Sequence, residues 1–355
     1  MRLDFIRGLY DGPGPFASVY LDTDRSLEGS ANVVQRRWAV LRERLAVAGA
    51  TAGVLEAISE LVLDPARTAP GRAVFARGGQ VVLTEPLAAP PRRETARWAP
   101  LPHVVPLLAQ RGERVPHIRV LADHAGADVV VVAGGGRREL TVEAAEWPMQ
   151  KTGQGGWSQS RYERDVEETW RRNAVAVAEV VDKEVHGTGA EVVVLAGDPK
   201  ARGLVVDRLC KETLRRLAVA EHGSRAAGAA PGPFEAEVER ACAAWLDRRR
   251  DELLDAFAGG NAVAGLQETA RALRERRVGT VLLRDDPSST ATVWAGPEPT
   301  HLSTDRADLL TWGVAEPFEE RADAALARAA AMTDAEIRFV DHIDSPDGVG
   351  ALLRF

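Results

Sequence analysis

The stretch Lys151-Thr152-Gly153-Gln154-Gly155-Gly156-Trp157-Ser158-Gln159-Ser160-Arg161-Tyr162-Glu163-Arg164 gathers more chemistry than any other in the chain. Glycine lets backbone N–H groups come close to a ligand, and a glutamine side chain offers both a donor and an acceptor that can order a water or a sugar hydroxyl. Gln159 and Ser158 are placed for that work, and Arg161 or Arg164 could neutralise charge developing on a phosphate or an oxyanion. Trp157 can stack on a nucleobase. The plainer reading is a surface loop closed by a helix cap, with Ser160 as the cap and Glu163 as its partner three residues on. Spacing favours that reading, whereas long structureless runs in compact domains are disproportionately functional.

Other candidates carry less. Ala133-Gly134-Gly135-Gly136 follows a valine run, but a phosphate cradle must open a helix and Arg137 to Val142 reads as a strand, so a hairpin is expected. Gly197-Asp198-Pro199-Lys200 lacks the glycine spacing of a phosphate loop and reads as a strand-to-helix corner. The seven histidines show no spacing that sets two on one helix face, and Asp341-His342-Ile343-Asp344 reads as a solvated turn; neither a metal site nor a cofactor is expected. Cys210 and Cys242 fall in segments read as helix and can form neither a disulfide framework nor a four-cysteine zinc site.

A chain of 355 residues exceeds one ordinary core, and its hydrophobic fraction of 45% and charged fraction of 27% are those of a folded globular protein. No apolar run is long enough to span a membrane and Met1 to Phe5 has no signal-peptide core, so a soluble cytoplasmic protein is expected. The net charge of −7 gives no long-range steering towards nucleic acid. Any such contact must be local, and it needs a basic stripe such as Arg36, Arg37, Arg161, Arg164, Arg171 and Arg172 could form. Arg36-Arg37, Arg111 to Arg114 and Arg248-Arg249-Arg250 otherwise read as solvated faces.

Three domains are expected to position these residues. In the first, 1–115, a strand over 16–21 precedes helices over 31–47 and 51–63, and strands 72–77 and 80–85 meet at Gly78-Gly79. In the second, 116–260, strands over 117–122, 127–133 and 139–142 lead through a loop over 148–160 into a long helix, 161–186. A strand over 191–195 follows, then helices over 199–217 and 234–257 joined by a flexible connector, 223–233. The third, 261–355, alternates helices over 262–276 and 317–332 with strands over 280–283, 291–294, 337–340 and 351–354. It reads as a small α/β sandwich in a chain of the α/β class.

The loop and helix resemble those of the archaeal and eukaryotic class-one peptide-chain release factor superfamily, Pelota-like proteins included, whose middle domain carries a Gly-Gly-Gln tip. Here the tip reads Gly155-Gly156-Trp157-Ser158-Gln159 and is more similar to the Gly-Ser-Gln variants of bacterial relatives. Leu195-Ala196-Gly197-Asp198-Pro199 and Gly348-Val349-Gly350-Ala351-Leu352-Leu353 extend the resemblance over most of the chain, which is most similar to the bacterial ribosome-hibernation branch of Balon and its relatives. Gly78-Gly79-Gln80 spells the tripeptide literally but sits in a hairpin turn.

The resemblance implies a middle mixed sheet bearing the protruding loop and long helix, and occupation of the ribosomal A site against ribosomal RNA. Gly155, Gly156, Trp157, Ser158, Gln159, Arg161 and Arg164 would make the contact, with elongation factor Tu as a candidate partner. Whether the chain is an enzyme stays open: the alternative is a peptidyl-tRNA hydrolase or tRNA-cleaving rescue factor using Gln159, Ser158 and Arg161. A non-ribosomal scaffold is a third class, in which the tip would be dispensable.

Overall fold

The computed structural model describes residues 1–24, 30–112, 115–133, 136–143, 156–286 and 288–354. The chain forms two compact units, Met1–Gly112 together with Glu252–Phe355, and Glu113–Asp251. It is a mixed α/β chain, as the pattern of periodicities predicts, and the described residues form four sheets.

The first unit opens with a 3-10 turn at Asp4–Tyr10, followed by β1 (Phe16–Asp22), α1 (Ser30–Val47), α2 (Ala52–Leu63), β2 (Gly71–Arg77), β3 (Gln80–Leu87), β4 (Thr95–Ala99) and α3 (Val105–Arg111). The strands form an antiparallel sheet in the order β3-β2-β1-β4. Helical spacing puts Val34, Trp38, Leu41 and Leu45 of α1 on one stripe, and that stripe packs with Ile58 and Val62 of α2 over Val19 and Val74. Gly78 and Gly79 have φ of 57° and 81°, as a two-residue hairpin turn requires, so Gly78-Gly79-Gln80 is turn chemistry.

The second unit contains β5 (His117–Asp123), β6 (Gly126–Ala133), β7 (Gly136–Glu143), α4 (Gly156–Thr188), β8 (Val192–Gly197), α5 (Pro199–Val206), α6 (Lys211–Leu214), β9 (Leu217–Val219) and the start of α7 (Gly232–Ala258). Its sheet runs β7-β6-β5-β8-β9, antiparallel on the β6 side and parallel from β5 through β8 to β9. The pairing of β6 with β7 confirms the hairpin; its turn at Gly134-Gly135 lies outside the described residues.

Two expectations fail here. The helix expected over 199–217 is broken into α5 and α6 and gives way to β9, because Leu217 to Val219 complete the parallel edge against Val193 to Leu195. The connector expected to be loose is pinned: Arg225 donates to Asp123 at 2.8 Å and lies 3.2 Å from Asp128, and Gly223 packs against Ala196, Leu121 and Phe234.

The chain returns to the first unit through the end of α7 and continues with β10 (Ala262–Ala264), α8 (Leu266–Arg274), β11 (Val278–Arg284), β12 (Thr292–Ala295), β13 (Leu302–Ser303), α9 (Arg306–Thr311), β14 (Phe318–Arg321), α10 (Ala322–Met332), β15 (Glu336–Val340) and β16 (Val349–Leu353). Two sheets result, β10-β16-β11-β15 and the small β13-β12-β14. The helices expected from 262 and 317 start later, because Ala262–Ala264 pair with β16 and Phe318–Arg321 pair with β12.

The flanking segments, expected as separate domains, each carry a sheet and share one apolar cluster. Ile6, Leu9, Phe75 and Leu108 join Leu273, Val281, Leu326 and Ile337 in it. A buried polar network ties the same segments together. Glu320 accepts from the Leu101 and Arg321 backbone N–H groups at 3.1 and 2.8 Å and from Arg97. Asp323 accepts from Arg321 Nε at 3.0 Å and lies 3.4 Å from His103 Nε2. The Tyr20 hydroxyl donates to the His103 carbonyl at 2.7 Å and accepts from Leu107 N–H at 3.1 Å.

Candidate nucleic-acid interface at the start of the long helix

From Trp157 to His186 the sequence contains neither Gly nor Pro, so nothing in it interrupts a helix once one has begun. The helix α4 accordingly starts at Gly156 and runs 33 residues. Gly156, Trp157, Ser158 and Gln159, expected in a loop, are its first four residues, and Ser160 is interior rather than a cap. Arg161 and Arg164 follow within the next two turns. Gly155 and the rest of the expected loop from residue 148 lie outside the described residues.

The backbone alone gives this helix start a chemistry. The first four N–H groups of an α-helix have no intrahelical partner, and the aligned peptide dipoles place partial positive charge there. Phosphate oxygens are the anions such an end accepts best.

The C-terminal half of α4 is anchored in the core. Ala174, Val177, Ala178, Val181 and Val185 recur at helical spacing and pack on Ile118, Val120, Val129 and Leu195. Arg138 of β7 adds an ion pair to the nearly buried Glu184. Gly156 lies eighteen residues before Ala174, which is about 27 Å along a helix axis.

Between these two regions lies a polar brace. The rings of His124, in the β5–β6 turn, and Trp170 stack at 3.8 Å between centroids with 16° between planes. Lys200 Nζ lies 4.7 Å from the Trp170 ring and donates to Glu167 at 3.1 Å. Asn173 Nδ2 donates to the His124 carbonyl at 2.8 Å, and His124 Nε2 lies 3.3 Å from Asp198. Asp198 also caps α5, accepting from Lys200 and Ala201 N–H at 2.9 and 3.0 Å. Those backbone hydrogen bonds, the one from Ala201 first, hold its carboxyl below the ordinary aspartate range.

Gly197 permits the corner from which Asp198 reaches this brace. Its φ is +118°, and a Cβ there would stand 1.9 Å from the Ala122 carbonyl oxygen, so no other residue fits. Leu195-Ala196-Gly197-Asp198-Pro199 is therefore a strand end and cap that hold α4 in place, with no phosphate loop. Sequence reasoning identified Trp170 as an apolar marker of the helix and missed His124, Lys200 and Asn173. The signal in reach was Asp123-His124-Ala125-Gly126, a tight turn between two strands with a ring-bearing residue at its tip.

Among the basic residues considered for a stripe, Arg37 is engaged by Asp22 at 2.7 Å in the first unit, and Arg171 lies 3.9 Å from Glu168 in the second. Among the described residues no cluster of three or more His, Cys, Asp or Glu could hold a metal ion, and no helix is long and apolar enough to cross a membrane.

Comparison with known proteins places this architecture. The model of the bacterial archaeo-eukaryotic release factor family 2 matches residues 116–263, the span that carries the sheet, α4 and the brace. The uncharacterized protein Rv2629 of Mycobacterium tuberculosis is 31% identical over 371 residues, covering 100% of this chain and 97% of its own. Solved structures found as similar include the archaeal translation termination factor aRF1, at 16% identity and a TM-score of 0.27, covering 97% of this chain and 93% of that one. An archaeal Pelota in a ribosome-bound model with ABCE1 is 14% identical with a TM-score of 0.38, covering 100% of this chain and 95% of that one. With a relative matched along the whole chain and the family model matched over the unit that bears α4, this chain belongs to the bacterial archaeo-eukaryotic release factor family 2.

Proposed function

We propose that this protein occupies the ribosomal A site, with the start of α4 set against ribosomal RNA, and that it protects idle ribosomes in hibernation or stress. The observation that carries the reading is the α4 start itself: a Gly-Trp-Ser-Gln sequence whose four leading N–H groups are free of intrahelical partners, on a helix braced and anchored downstream. Membership of a release-factor family supports the ribosome as the target.

The helical setting of Ser158 and Gln159 favours holding over turnover. A helix fixes their backbone, and the sequence sets beside them a tryptophan, a residue type able to stack on a base. An acidic chain binds RNA through such local contacts rather than through its overall field, so its affinity should fall less steeply with salt than that of a basic factor. Elongation factor Tu is the translational GTPase proposed to accompany it.

Sedimentation with vacant and with peptidyl-tRNA-loaded ribosomes tests this reading. Binding to vacant ribosomes without peptide release or tRNA cleavage, weakened about tenfold or more by Trp157→Ala, is the expected result. Release or cleavage that disappears in Gln159→Ala would establish the enzymatic alternative acting on peptidyl-tRNA, and absence of sedimentation would end the ribosomal reading.

A further inference from the structure

The first unit contains a cavity of about 380 Å³ walled by α3, the chain before β4, the ends of β11 and β16, and α10. That volume is within the range of about 300–1,000 Å³ typical of small-molecule sites. Its lining divides into two kinds of surface. Leu283, Leu326 and Val349 are buried and, with Pro106 and Ala109, make an apolar interior. Arg92, Arg93 and Arg284 are exposed or nearly so and stand at the mouth.

The charges at the two levels behave differently. In the interior Arg97 is committed to the buried Glu320 and Arg321 to Asp323, so neither guanidinium is available to a ligand. At the mouth Arg92 meets Asp285 at 2.5 Å and Arg284 meets Asp286 at 3.3 Å, while Arg93 has no carboxylate partner among the described residues. Exposed pairs of this kind are weak, and an anion that offers two oxygens to a guanidinium fork can exchange for them. The same mouth holds acceptors: Asp285, Asp286 and the exposed Asp347, one of whose oxygens accepts from Leu266 N–H at 3.1 Å.

A ligand matched to this lining carries an anionic group, a body able to lie on apolar walls and N–H donors for carboxylates. A simple dianion would leave the apolar walls uncovered, and a hydrocarbon would leave the mouth unused. We propose that the cavity binds a purine nucleoside phosphate, with the phosphate at Arg93, Arg92 and Arg284, the base over Pro106 and Ala109, and the amino edge of the base towards an aspartate. This site is independent of the α4 start and of any ribosome.

Isothermal titration of the full chain, free of ribosomes, with AMP and GMP, and separately with adenosine, guanosine and inorganic phosphate, tests the proposal. At least one of the nucleotides should bind with Kd below about 1 mM, and its nucleoside and inorganic phosphate at least about tenfold more weakly. Arg93→Glu, at an exposed site, should weaken the nucleotide about tenfold with an unchanged circular dichroism spectrum, and Ala109→Trp should fill the interior and abolish binding. Absence of binding by both nucleotides at millimolar concentration would overturn the proposal. So would nucleotide binding undiminished by Arg93→Glu, or inorganic phosphate binding as tightly as the nucleotide.

Discussion

Glu320 and Asp323 in the first unit, and His124 and Trp170 in the second, both tie elements distant in sequence, but with different amounts of water in reach. The Glu320 side chain is fully buried and its oxygens meet two backbone N–H groups and Arg97. The His124–Trp170 stack is part-exposed, although His124 Nδ1 and Trp170 Nε1 are themselves buried and have no hydrogen-bond partner among the described residues. A buried, saturated network makes the unit depend on every member, whereas a part-exposed brace fixes orientation while contributing little to stability. The first arrangement suits a structural seam and the second suits a helix whose position matters more than its strength.

The largest effect should come from breaking the seam. Glu320→Ala leaves the buried Leu101 N–H unpaired and the part-buried Arg97 without its carboxylate, and should destabilise the first unit by about 3–5 kcal/mol, read by denaturant unfolding. A loss below about 1 kcal/mol would remove the contrast between the regions.

Acid should separate the units next. Burial alone would raise the Asp323 carboxyl, but hydrogen bonds from His103 and Arg321 outweigh it and hold the group far below the ordinary aspartate value. Its contribution is then present above the unfolded value of about 3.9 and is lost as pH falls further. In the second unit burial, first of all, lowers His117, whose Nδ1 lies 2.8 Å from the Val115 carbonyl and whose Nε2 accepts from Arg119 at 3.0 Å. The neutral ring is the folded form, so that stability is present above about pH 6.5 and falls as pH drops through the depressed folded value. Hydrogen exchange followed by peptide should show β5 and β8 losing protection at a higher pH than β12 and β14; the reverse order would contradict the assignment.

Asp198→Ala removes the α5 cap and the carboxylate beside His124, and about 0.5–2 kcal/mol should be lost in the second unit on thermal unfolding. Smallest in stability are His124→Ala and Trp170→Leu, at about 0.5–1.5 kcal/mol each. The brace reading requires these two to weaken ribosome sedimentation more than Asp198→Ala does. Weakening that merely follows stability would make the brace ordinary packing.

The sequence made some of this legible and hid the rest for physical reasons. Gly78-Gly79 and Asp198-Pro199 carry their own local chemistry, a positive-φ turn and a cap, and both stand where expected. β14 was hidden because Phe318-Glu319-Glu320-Arg321 has no strand periodicity; its pairing to β12 and a buried carboxylate that meets Leu101 define it. The brace was hidden likewise, since His124, Trp170 and Lys200 meet only after β5, α4 and α5 are in place. At the candidate site the residue types were legible, but their setting was misread: the glycine pair drew attention to a loop, while the uninterrupted run after Gly156 already favoured a helix.

The claim that the α4 start faces ribosomal RNA is tested most directly by hydroxyl-radical cleavage from iron tethered through Gln159→Cys, in a chain also carrying Cys210→Ser and Cys242→Ser, bound to vacant ribosomes. Cuts concentrated in the ribosomal RNA of the A site, reduced when Trp157→Ala weakens binding, are the expected result. A bound protein whose cuts fall elsewhere, or that yields none, would contradict the claim.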